Sequence, residues 1–156
     1  KSHRVRSFPM SYQIGRLWFV PRKLSASKAI TFIQRLNRQG TTMYAAQSIR
    51  GTEADPELVR EVVDRSGEFR LCLIPSEYLG GKVCGNRKRI GVVEELFRKN
   101  HNTLSKIPPI LVQGYSRELI LLDGHARAEV ASQLHIPLLG YVPERVIPLI
   151  KGLIII

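Results

Sequence analysis

The chain has 156 residues, 44% of them apolar, and carries a formal charge of +11 from 24 Lys and Arg against 13 Asp and Glu. That length builds a compact core without staples, and two cysteines, Cys72 and Cys84, make no disulfide framework. No run approaches the ~20 apolar residues of a membrane span and no secretory signal pattern opens the sequence, so the expectation is a cytoplasmic protein with no membrane partner.

Residues 1–40 carry nine basic residues (Lys1, Arg4, Arg6, Arg16, Arg22, Lys23, Lys28, Arg35 and Arg38) and no acid, the first acid being Glu53, which leaves residues 41–156 nearly balanced. Such asymmetry bears on partners rather than fold, and the counter-surface it suits is polyphosphate, nucleic acid above all. Arg16, Arg22, Lys23, Lys28, Arg35 and Arg38 are the candidate nucleic-acid contacts. The interspersed aromatics Tyr12, Trp18, Phe19 and Tyr44 serve either base stacking or the core. Leu17-Trp18-Phe19-Val20, closed by Pro21, reads as a strand or a packed arm.

From Ser25 to Gln39, Ala29, Ile30, Ile33 and Leu36 follow helical spacing, with Ser25 or Ser27 as cap and Gly40 as stop. Asp55-Pro56-Glu57 opens a second helix, Leu58, Val59, Val62 and Val63 form its apolar face, and Gly67 closes it. Residues 1–66 are thus expected to form a basic, mainly helical N-terminal extension.

Phe69–Ile74 then alternates as a strand ending at Pro75. A glycine-rich basic loop, Gly80 to Arg89, precedes a helix from Ile90 to Lys99 with Val92, Val93, Leu96 and Phe97 inward. Ile110–Val112 is a strand, Gln113–Ser116 a turn, and Glu118–Leu122 the returning strand. A helix follows to Leu134 with Ala126, Val130, Ala131 and Leu134 inward, and Leu138–Val142 is a last strand. The order strand, loop, helix, hairpin, helix, strand predicts an α+β fold, a sheet packed on helices, over residues 67–148. The apolar segment 149–156 is expected in a sheet or at a homo-oligomer interface.

The sharpest local signal is Asp123-Gly124-His125-Ala126-Arg127, where an apolar strand turns into a helix. Backbone N–H groups at a helix start bind anions, and glycine lets a phosphate approach closely. Arg127, four residues after Asp123, is positioned to face the same opening. His125 can donate to phosphate or move a proton, and Asp123 can hold a magnesium ion bridging phosphates. Helix capping alone also accounts for Asp123. The basic loop offers Asn86, Arg87, Lys88 and Arg89 as further phosphate ligands.

The segment "PPILV … ELILLDGHARAEVASQLHIPLLGYVPE", with the earlier strand "RLCLIP" and helix "IGVVEELFRKN", resembles the ParB/sulfiredoxin superfamily over roughly half the chain. The resemblance implies a mixed sheet packed on helices and a nucleotide (ATP, ADP or CTP, with magnesium) whose phosphates rest at the Gly-x-x-Arg helix start. Sulfiredoxins carry a nucleophilic cysteine where this chain has His125, which argues against that chemistry. Free-serine kinases carry Asp-Gly-His-His-Arg, one residue from this motif. They also place a catalytic glutamate in the loop after the first strand, where this chain has no acid closer than Glu77. Were this chain such a kinase, Asp123 and His125 would be its catalytic residues. ParB proteins instead use a Gly-Glu-Arg-Arg helix start and a polar, arginine-bearing loop like Asn86–Arg89. The expected function is therefore ParB-like nucleotide and nucleic-acid binding, with ATP- or ADP-dependent phosphorylation of free serine as the alternative. Nuclease chemistry lacks an acidic metal cluster, since Asp123 stands alone.

Overall fold

The computed structural model describes residues 13–17, 20–29, 31, 65–80, 87–100, 102–115 and 118–156. Among the described residues, six strands form one mixed sheet: β1 (Lys23–Leu24), β2 (Phe69–Ile74), β3 (Ile110–Tyr115), β4 (Glu118–Asp123), β5 (Leu138–Pro143) and β6 (Ile154–Ile155). α1 (Arg87–Asn100) and α2 (His125–Leu134) are the complete helices among the described residues, and with the sheet they make an α+β fold.

β2 and β5 read as near-continuous apolar runs because both lie inside the sheet, covered on both faces. They pair antiparallel along their whole length, from Phe69 opposite Pro143 to Ile74 opposite Leu138. β5 pairs parallel to β3 at Ile110–Gly140 and Leu111–Tyr141, and β3 returns antiparallel as β4. The outer edge of β2 is covered by two short strands placed end to end. β1 pairs Lys23 with Arg70 and Leu24 with Phe69, and β6 pairs Ile155 with Cys72 and Ile154 with Leu73. The apolar segment 149–156 thus contributes a strand to the sheet.

α1 turns Ile90, Val93 and Phe97 inward, and α2 packs through Ala126, Ala128, Val130 and Ala131. His135 ends α2 in a left-handed conformation (φ 57°), so that the Ile136 N–H reaches back 2.9 Å to the Ala131 carbonyl. Before the sheet, the N–H of Gln13 bonds the Asn102 carbonyl, and the N–H of Leu104 and Ser105 bond those of Gln13 and Ile14. Ser25 Oγ accepts the Lys28 N–H at 3.3 Å, the expected cap, and residues 26–29 and 31 are helical. Trp18, Phe19 and most of the expected helices over 25–39 and 55–66 lie outside the described residues.

Several local expectations are corrected. α1 begins at Arg87 rather than Ile90, so Arg87, Lys88 and Arg89 are its first turn and not a loop. Val92 is 56% exposed, because the inward stripe of α1 runs 90, 93, 97 and leaves position 92 on the far side. Leu134 is also exposed, at the last turn of α2 beyond its buried residues Ala126 to Ala131. β3 extends through Gln113-Gly114-Tyr115, expected as a turn, because Gln113 still pairs with Ile120 and Tyr115 with Glu118. No helix among the described residues is long and apolar enough to cross a membrane.

Candidate anion-binding site at the start of α2

β4 delivers Asp123 to the end of the sheet, and Gly124 makes the turn into α2 with φ 106° and ψ 30°. Only glycine adopts that conformation without strain. A Cβ here would also fall 2.4 Å from Ile110 Cγ2 and 2.9 Å from Arg127 Nη2. Gly124 is therefore the N-cap, with no side chain capping the helix. Asp123 does not cap. It closes β4 and accepts a 3.2 Å hydrogen bond from Arg127 Nη2, which also donates to the Pro109 carbonyl at 3.4 Å.

Both members of this pair are buried, Asp123 at 3% and Arg127 at 1% exposure. Arg127 thus lies beneath the Gly124 turn instead of facing an outer opening. It ties β4 to the residue preceding β3, and so fixes where α2 begins. Burial pushes the Asp123 carboxyl above its ordinary range, opposed first by Arg127 and then by the charges of His125 and Arg89. Arg89 also bears on Arg127 as a like charge. The starts of α1 and α2 therefore bring Arg89, His125 and Arg127 around one buried carboxylate.

α1 strengthens this picture. Its first turn is Arg87-Lys88-Arg89 with no acid, cations at the positive end of a helix dipole where anions are favoured. Arg87 Nη1 approaches Glu129 Oε2 at 3.6 Å, holding the start of α1 against α2. Lys88 is exposed, Arg89 and His125 are half-buried, and Asn86 lies outside the described residues. A dense set of cations beside an uncapped helix start can hold phosphate oxygens through charge-assisted hydrogen bonds. Asp123 does not fit as a direct magnesium ligand, being buried and held by Arg127. No group of three or more His, Cys, Asp or Glu suited to a metal exists among the described residues.

Other expected residues lie elsewhere. Glu77 is exposed on the 3-10 turn Ser76–Tyr78. The chain just beyond, at Gly80, meets α2 at Ser132, about 12 Å along the helix from Gly124. Cys72 is buried in β2 and its thiol is pushed up to about 11, chiefly by burial, which leaves no thiolate for redox chemistry. Arg16, Arg22, Lys23 and Lys28 are exposed, whereas Arg35 and Arg38 lie outside the described residues. Sequence reasoning passed over Arg70, which stands beside Lys23 across the β1–β2 ladder. Its one signal is a cation inside an otherwise apolar strand. Compared with known proteins, the chain matches no family model, and neither a curated protein nor a solved structure shows significant similarity to it.

Proposed function

We propose that this protein is a nucleotide-binding module of ParB-like type that also contacts nucleic acid, the phosphates of the nucleotide resting at the start of α2. The observation that carries the reading is the placing of Arg89 and His125 beside the uncapped, glycine-led helix start, above the buried Asp123–Arg127 pair. In this reading the backbone N–H groups and His125 meet phosphate oxygens. Arg89 supplies charge from the facing helix, and the Asp123–Arg127 pair keeps the turn in place from below. Any magnesium would be carried on the nucleotide itself. The charge excess and the exposed Arg16, Arg22, Lys23 and Lys28 support a nucleic-acid partner.

Calorimetric titration with ATP, ADP and CTP in magnesium tests the nucleotide site. Arg89→Gln should weaken binding by about tenfold or more, the scale of one charge-assisted hydrogen bond. Lys99→Gln, at the far end of α1, should leave binding unchanged. Equal losses in the two variants, or no binding by the unaltered chain, would reject the site. Preference for cytosine fits the ParB-like reading. Preference for adenine with phosphate transfer to added serine would replace it with the kinase.

A further inference from the structure

The edge of the sheet opposite Gly124 carries a second cationic feature. Leu24 and Phe69, partners across β1 and β2, are both buried, so the neighbouring partners Lys23 and Arg70 share the other face. Directly opposed residues on one face of an antiparallel pair lie about 5 Å apart, and like charges there destabilise the ladder. Arg70 gains little relief. Its Nη1 meets Glu144 Oε1 only at 3.4 Å, and its buried Nε has no acceptor among the described residues. A guanidinium offers five donors in a planar fork, and Arg70, about a quarter exposed, turns part of that fork to the surface beside Glu144. Arg22, next to Lys23, and Arg145, next to Glu144, are exposed. Glu68 and Glu144 are the acids beside them, leaving the group cationic.

We propose that Lys23, Arg70 and Arg145, flanked by Arg22, form a sequence-independent site for a nucleic-acid backbone, separate from the α2 start. The proposal rests on the nucleic-acid part of the reading above and assigns it a surface. Separation follows from strand order: β4 lies four strand spacings from β1 and three from β2, about 19 and 14 Å. The phosphates of one nucleotide do not bridge that gap, so nucleotide and polynucleotide bind together without competing. Cations from two strands and a following turn suit an extended polyanion better than a single phosphate group.

The test is fluorescence anisotropy of a labelled oligonucleotide of about 20 nucleotides, single-stranded and duplex, with the full chain across about 50–300 mM salt. Lys23→Gln/Arg145→Gln should lose about tenfold in affinity at low salt. Its log–log salt slope should flatten by roughly 0.7–0.9 per contact removed. Lys99→Gln/Lys106→Gln, an equal loss of charge elsewhere on the surface, should change affinity less than about twofold, since distant exposed charges are screened. Saturating magnesium-ATP should displace none of the oligonucleotide. Equal losses in the two double variants, displacement by ATP, or binding to phosphatidylserine vesicles but not to oligonucleotide would each overturn the proposal. Loss of ATP binding in Arg89→Gln with oligonucleotide binding intact supports two separate sites. Absence of ATP binding in the unaltered chain, with the edge variants still weakened for oligonucleotide, would reject the nucleotide site alone.

Discussion

Asp123 and Arg127 stand one helical turn apart, and their burial makes them a device for holding shape. A buried pair seldom contributes much net stability, because desolvation offsets the attraction, but it restricts which arrangements the surrounding backbone can take. Here it fixes the Gly124 turn and the start of α2. The titration of Asp123 exposes this role. Its folded pKa is raised above the ordinary carboxylate value, because burial outweighs the pull of Arg127, His125 and Arg89. The folded state therefore holds this proton more tightly than the unfolded chain. The contribution is fully present below the unfolded pKa, near 4, and is lost as pH rises through the folded value. Urea unfolding of the unaltered chain and Asp123→Asn across pH tests the sign. The stability of the unaltered chain minus that of the variant should fall as pH climbs from about 4. A difference that grows over the same range would mean that Arg127 wins over burial and the carboxyl is held low.

At the scale of elements, two glycines with opposite roles show how tightly the sheet is built. Gly140 sits in β5 between β2 and β3, where a Cβ would lie 2.6 Å from Ile74 Cδ1 and 2.8 Å from Ile110 Cγ1. Gly140→Ala should destabilise by about 1–3 kcal/mol, the range for overpacking a filled core. Gly91 faces open space on the exposed side of α1, with nothing within 4 Å of a Cβ. Gly91→Ala should stabilise by about 0.5–1 kcal/mol by removing helix-opposing backbone freedom. Denaturant midpoints of the two variants should move in opposite directions, and a shared direction would contradict the packing around Gly140. The order of elements was legible in the sequence because apolar periodicity and the Pro75 and Gly124 boundaries are local signals. The first turn of α1 was not, since Arg87-Lys88-Arg89 has no apolar periodicity and resembles a loop. The Asp-Gly-His-Ala-Arg motif was legible as a strand-to-helix turn. What it hid was the burial of Arg127, whose guanidinium is held by the carbonyl of Pro109, fourteen residues upstream of Asp123.

Across the whole molecule, the least local feature is the shared edge of β2, where β1 and β6 come from opposite ends of the sequence. Neither two-residue strand has enough periodicity to be found alone, and their end-to-end placement exists only once the sheet has formed. Covering an edge in this way removes unpaired N–H and C=O groups that would otherwise template association. β6 is a clean place to test that role, because its side chains contribute little burial: Ile154 is 57% exposed and Ile155 48%. Its effect therefore comes mainly from the ladder with Cys72 and Leu73 and from the Ile156 N–H bonded to the Leu71 carbonyl. Removing residues 153–156 leaves the preceding anchor, the Tyr78 hydroxyl bonded to the Lys151 carbonyl, in place. The truncated chain should lose about 2–4 kcal/mol, a few hydrogen bonds together with the partial burial of Leu153 and Ile156 against the core, or a Tm drop of roughly 4–16 °C for this size. Cys72, directly under β6, should react faster with an aromatic disulfide reagent, since opening the edge gives its buried thiol access to water and to the thiolate form. Light scattering should rise with protein concentration as uncovered edges meet. An unchanged Tm together with an unchanged thiol rate would show that β5, β1 and the packed core hold β2 without β6, and that β6 only rests against it.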